Sequence, residues 1–116
     1  MQLSEHFKEY EFKCHCGECK LIQPPSELLE VLEDVREHFG KSVTIMSGHR
    51  CSKHNKSVGG ARYSKHVLGI AADIIVSGIS PNAVQEYLLL TYPNSYGIGR
   101  YAYFTHIDVR DKKGRW

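Results

Sequence analysis

The chain contains no long hydrophobic run. No apolar stretch approaches the roughly 20 residues a membrane-spanning helix needs, so no membrane partner is expected. It also lacks a strong charge bias. Fifteen Lys and Arg stand against 13 Asp and Glu, a net charge of +2 with histidines neutral, and the basic residues are scattered until the closing Arg110-Asp111-Lys112-Lys113-Gly114-Arg115. That is too weak a field to predict a nucleic-acid partner. The opening Met1-Gln2-Leu3-Ser4-Glu5-His6 has no basic segment leading into an apolar one, so no secretory signal is expected. Internal repeats, low-complexity tracts and linker-like stretches are missing too. With 116 residues, the expectation is one domain spanning 1–116. Cysteine is scarce and unevenly placed: Cys14, Cys16 and Cys19 lie close together and Cys51 lies apart. A disulfide framework usually spreads its cysteines along the chain. The triplet-plus-one pattern also departs from the two separated pairs of common zinc modules. Three readings therefore stand: free thiols, which the irregular spacing favours, a disulfide from Cys51 to one of the triplet, or a structural zinc held by all four.

What is present is enough for a packed core, with 41% hydrophobic and 24% charged residues. Phe7, Tyr10 and Phe12 predict a short extended segment laid onto the domain. Pro24-Pro25 marks a helix start, and Leu28, Leu32, Val35 and Phe39 follow at helical spacing until Gly40 stops them. The spacing predicts an amphipathic helix over 25–39. Residues 42–46 read as a buried strand, and 47–69 have loop composition. The run 70–76 reads as a core strand interrupted by Asp73. Ser80-Pro81 opens a second helix to about Thr91, and 97–101 and 103–110 read as two short strands. This order predicts an α+β fold with a small, mostly antiparallel sheet and two main helices.

Asp73 is the oddest residue by pattern, because a carboxylate in an apolar strand is costly unless it is paired or bound to metal. His66 stands seven residues before it, with Gly69 and two alanines between. His106 lies in the last strand, where alternation puts Phe104, His106, Asp108 and Arg110 on one face. A face bearing His, Asp and Arg in succession lines a site or meets solvent. Two histidines and one carboxylate are a typical ligand set for catalytic zinc, the fourth position being left for water.

The stretch Ser64-Lys65-His66-Val67-Leu68-Gly69-Ile70-Ala71-Ala72-Asp73 resembles the Ser-x-His-x-x-Gly-x-Ala-x-Asp signature of the zinc D-alanyl-D-alanine carboxypeptidases. These are peptidoglycan peptidases that include phage endolysin domains and share their fold with hedgehog domains. Ser47-Gly48-His49-Arg50, His54-Asn55, Val58-Gly59-Gly60-Ala61 and Phe104-Thr105-His106-Ile107-Asp108-Val109-Arg110 with Trp116 also resemble the small single-domain branch. The resemblance runs from about residue 5 to the end. It implies a hedgehog/DD-peptidase-like fold and one catalytic zinc held by His66, Asp73 and His106. It implies Arg50 as a catalytic residue that also holds substrate, and Ser64 as a second substrate-binding residue on the same loop. The partner implied is the peptidoglycan stem peptide, met by a monomer. The setting implied is a bacterial cytoplasm with access to the wall on release, as in phage or prophage lysis.

The sequence departs from the family at one position. Several relatives keep a catalytic carboxylate three residues before the last histidine ligand, where this chain has Tyr103. The nearest substitute is Asp108, expected to act as general base, with His49 and His54 as alternatives and Tyr101 or Tyr103 as oxyanion donors. Two rival readings remain at this stage: a non-catalytic zinc module on the same fold, and a zinc-ribbon or redox protein built on the cysteines.

Overall fold

A computed structural model describes residues 1–20, 22–61 and 64–116; positions 62 and 63 of the predicted loop over 47–69 lie outside the described residues. Helix α1 (Ser26–Phe39) begins after Pro25 and ends at Gly40, whose φ of 62° is the left-handed conformation glycine adopts without strain. It buries Leu28, Val31, Leu32 and Val35. Strand β1 (Val43–Ser47) follows. Helix α2 (Ser52–Ser57) interrupts the stretch expected to be loop. Strand β2 (Ala71–Val76) leads to helix α3 (Pro81–Thr91), where the Ser80 hydroxyl caps the Ala83 amide at 3.2 Å. Strands β3 (Gly97–Arg100) and β4 (Thr105–Asp108) complete most of the sheet, and β5 (Gly114–Arg115), which sequence periodicity is too short to reveal, adds an edge.

The sheet order is β1-β2-β4-β3-β5, antiparallel except for the parallel β3–β5 pair. The fold is thus the expected α+β with a mostly antiparallel sheet. Among the described residues, no helix is long and apolar enough to cross a membrane.

The core joins the inner face of α1 and α3 to the sheet, through Leu28, Leu32, Leu88, Ile74, Ile98 and Ile107. The N-terminal segment differs from the expectation. Glu9–Phe12 form a 3-10 turn instead of an extended run. Phe7 and Phe12 are buried with ring centroids 6.3 Å apart, while Tyr10 is 69% exposed. The turn packs tightly against the chain leaving β1: His49 N–H donates to the Phe12 carbonyl at 2.9 Å. A Cβ on Gly48 would meet the Phe12 backbone at 2.7 Å, so only glycine fits there.

Candidate metal centre

Three ligand atoms converge because of strand register. On β2, Asp73 pairs directly with His106 on β4. Cross-strand partners share a face, so the carboxylate and the imidazole meet: Asp73 Oδ1 lies 3.0 Å from His106 Nδ1. A register irregularity between Ile45 and Ser47 brings Ser47 opposite Asp73 from the other side. His66 arrives from the turn before β2, which Gly69 closes with φ of 78°. His66 Nε2 ends 3.2 Å from Asp73 Oδ1. His66, Asp73 and His106 each offer a ligand atom within 4.8 Å of the others.

The tautomers follow from the surroundings. His66 Nδ1 lies 2.7 Å from the Gly48 carbonyl, an acceptor only, so Nδ1 carries the proton. That leaves Nε2 as a lone pair, buried and without a hydrogen-bond partner among the described residues. His106 Nε2 lies 2.7 Å from Asp108 Oδ2. Asp108 is anchored in turn by Arg110, whose Nε and Nη2 donate to Oδ1 and Oδ2 at 2.8 and 2.7 Å and whose backbone N–H adds a bond of 3.1 Å. Such an ionised carboxylate accepts the Nε2 proton, which leaves Nδ1, the nitrogen facing Asp73, as the one that gives up its proton to a metal. A ring that donates its far N–H to a carboxylate is the usual support of a metal-binding histidine.

The electrostatics agree. Burial pushes the Asp73 carboxyl up, but in the metal-free protein the His106 and His66 imidazoles beside it, 3.0 and 3.2 Å away, outweigh that and hold it at about 2. Burial likewise opposes ionisation of Asp108, yet Arg110 and His106 hold it well below the carboxylate range. Burial disfavours a charged His106, and the Asp108 and Asp73 carboxylates more than offset that, raising it above the ordinary histidine value. A buried imidazole nitrogen with no partner, facing an ionised carboxylate and a second imidazole, is a donor set that suits zinc.

These atoms form the floor of a cleft of about 650 Å³. Arg50, Ser64, Lys65, Tyr101, Arg110 and Trp116 contribute to its walls. Arg50 Nη1 donates to Asn55 Oδ1 at 3.2 Å, while its Nε is buried without a partner among the described residues. The Ser64 hydroxyl accepts the His66 amide at 3.1 Å and so holds the ligand turn. Trp116 covers the His106 ring at 5.0 Å between centroids and supports Arg110, whose guanidinium lies 4.8 Å from the indole centroid.

A family model described as Peptidase M15 matches residues 5–108. The chain belongs to the peptidase M15 family. A search of curated proteins found no match. Membership makes the chain a member of a zinc metallopeptidase family, and the cleft with its three convergent ligand atoms fits that class.

Within this M15 fold, the residues proposed as a base from sequence are placed differently from expectation. Asp108 is fully buried, and it touches the edge of His106 that faces away from the ligand cluster. It does not line the cleft, so the expectation that it takes a proton from a metal-bound water does not fit its position. His49 is buried outside the cleft lining, and His54 sits beside the cysteines. Tyr103 is 83% exposed and also outside the lining. Tyr101 does reach the cleft, where its hydroxyl accepts Trp116 Nε1–H at 2.9 Å. Arg110, expected from alternation on the same face as His106, does reach the cleft wall, and Trp116, named only for its resemblance, joins it there.

The four cysteines do come together, as no reading from spacing alone required. Their sulfurs lie within 4.8 Å of one another, and all four are free of disulfides.

Proposed function

We propose that this chain is a zinc-dependent peptidase that hydrolyses peptide bonds in bacterial peptidoglycan, of the D-Ala-D-Ala carboxypeptidase or endopeptidase type. The observation that carries it is the buried, unpartnered Nε2 of His66, aimed with His106 Nδ1 and Asp73 at one point on the cleft floor. Zinc held by these three would polarise a scissile carbonyl and lower the pKa of a bound water.

The remaining work falls to the chain itself. Gly48 fixes the His66 ring through its carbonyl, and Asp108 with Arg110 fixes the His106 ring, so the ligand atoms are oriented before substrate arrives. Asp108 is thus a positioning residue. Arg50 offers an unpartnered Nε to a peptide carbonyl or terminal carboxylate. Arg50 and Lys65 place positive charge around the same cleft, Arg110 being paired with Asp108, and among the described lining residues Asp73 is the only carboxylate. A cleft of that sign favours a substrate rich in carboxylates, as peptidoglycan stem peptides are.

Mass spectrometry of muropeptides after digestion, with zinc-loaded and chelator-treated protein, tests this reading. Loss of a terminal D-alanine, or cleavage within the stem, only in the zinc-loaded arm is the expected result. A second reading, a zinc-binding module without activity, is favoured by Tyr103 standing where relatives keep an acid. Zinc retained with every muropeptide intact would select it.

A further inference from the structure

Helix α2 is poorly held by the core. Of its six residues only Asn55 is buried, and the segment contributes no side chain to the apolar cluster. A six-residue helix is far below the length that is stable alone. Yet α2 carries Asn55, which holds the Arg50 guanidinium. Some other device has to fix it.

The N-cap of α2 is Cys51. Its Sγ lies 3.9 Å from Cys14 Sγ and 3.8 Å from Cys16 Sγ, and Cys19 completes a group whose sulfurs lie within 4.8 Å of one another. Sulfurs bonded tetrahedrally to zinc at ~2.3 Å stand about 3.8 Å apart, whereas a disulfide holds them at ~2.05 Å. The backbone is arranged for thiolates. Glu18 and Cys19 N–H groups both donate to Cys16 Sγ at 3.4 Å. The Cys51 N–H donates to Cys14 Sγ, and the His54 N–H to Cys51 Sγ, both at 3.4 Å. The surface beside the group includes Lys53 and Glu18, and Lys13 and Lys20 flank the triplet in sequence. The lysines supply positive charge near a site with four thiolates.

We propose that Cys14, Cys16, Cys19 and Cys51 form a second, structural zinc site that clamps the 14–19 turn onto the start of α2. The ion displaces the thiol protons to solvent and leaves no open coordination position, as in other closed structural sites. It thereby substitutes for the apolar contacts α2 lacks and holds the Arg50 wall of the cleft in place.

The test uses the full chain purified under reducing conditions. Metal analysis is expected to give two zinc ions per chain in the parent, and one in a His66→Ala/Asp73→Asn variant, which lacks the cleft ligands. That remaining zinc should protect the thiols from a disulfide reagent, with all four reacting as a chelator removes it. Cobalt loaded into the same variant should show the thiolate-to-metal charge-transfer absorption of a sulfur site. Cys16→Ser should abolish the signal; should that variant not fold, the thiol and cobalt readouts on the cleft variant decide alone. Four thiols that react freely in the metal-replete variant would overturn the proposal, as would cysteines recovered as disulfides or cobalt spectra without thiolate bands. None of these readouts depends on peptidase activity.

Discussion

Asp108 accepts from His106 Nε2 at 2.7 Å, on the edge of the ring opposite the nitrogen that faces Asp73. The carboxylate therefore sets which nitrogen of His106 is free to bind a metal. Asp108→Asn is expected to weaken zinc binding by about 10–100-fold, because an amide can present its NH2 to Nε2 and favour the wrong tautomer. Competition with a chromogenic chelator measures it. Unchanged zinc affinity with a collapsed kcat would instead assign Asp108 a direct part in proton transfer.

The same pair links metal uptake to protons. His106 holds its proton above the ordinary histidine value because Asp108 and Asp73 outweigh its burial. Zinc must displace that proton, so apparent affinity should fall as pH drops through and below the neutral range. Calorimetry in buffers of different ionisation enthalpy should show net proton release near pH 7. In the metal-free protein the sign for folding is opposite to that of a depressed acid. The His106 contribution is full below the unfolded histidine value of about 6.5 and fades as pH rises through the higher folded value.

Gly97 on β3 faces Asp108 across the β3–β4 pair. A Cβ there would overlap the Asp108 carboxylate and approach Arg110 Nε at 2.5 Å. Gly97→Ala should displace the pair that orients His106, costing about 1–3 kcal/mol of stability and lowering zinc affinity together with it. Denaturant unfolding and metal titration on one sample check that the two losses occur together.

On α1, Glu33 anchors the N-terminal segment. Its carboxylate accepts from Ser4 Oγ and the His6 N–H at 2.6 and 2.7 Å, and His6 Nδ1 lies 2.6 Å away. Burial raises its pKa, but these bonds outweigh that and leave it below the ordinary value. Its contribution is therefore full above the unfolded Glu value of about 4.3 and is lost as pH falls below it. Because the pair is only half-buried and reaches solvent, Glu33→Gln should cost about 1 kcal/mol near pH 7. Thermal melts at pH 7 and pH 3 should show the difference between parent and variant shrinking in acid.

The long elements were legible because each follows a single period. Helix α1 is marked by Pro25, its apolar spacing and Gly40, α3 by Ser80-Pro81, and β2 by its apolar run. Short elements have no period to detect, so α2 and β5 were invisible. The gathering of His66, Asp73 and His106 at one place was legible through motif spacing. The placement of Asp108 behind the His106 ring was not. Strand alternation correctly put it on the face of His106, but which edge of the imidazole it touches depends on χ angles and on the space left by Gly97. The cysteine group was obscured for a different reason. Cys51 reaches the triplet only because the 3-10 turn at Glu9–Phe12 packs on Gly48, a long-range contact that spacing does not encode.

The most direct test of the metal centre is a crystal structure of the zinc-loaded protein with anomalous scattering data collected across the zinc edge. The account predicts a peak in the cleft about 2.0–2.2 Å from His66 Nε2, His106 Nδ1 and an Asp73 oxygen, with Asp108 still bonded to His106 Nε2. A cleft without anomalous density, or zinc bound through His106 Nε2 with the ring turned away from Asp108, would contradict it.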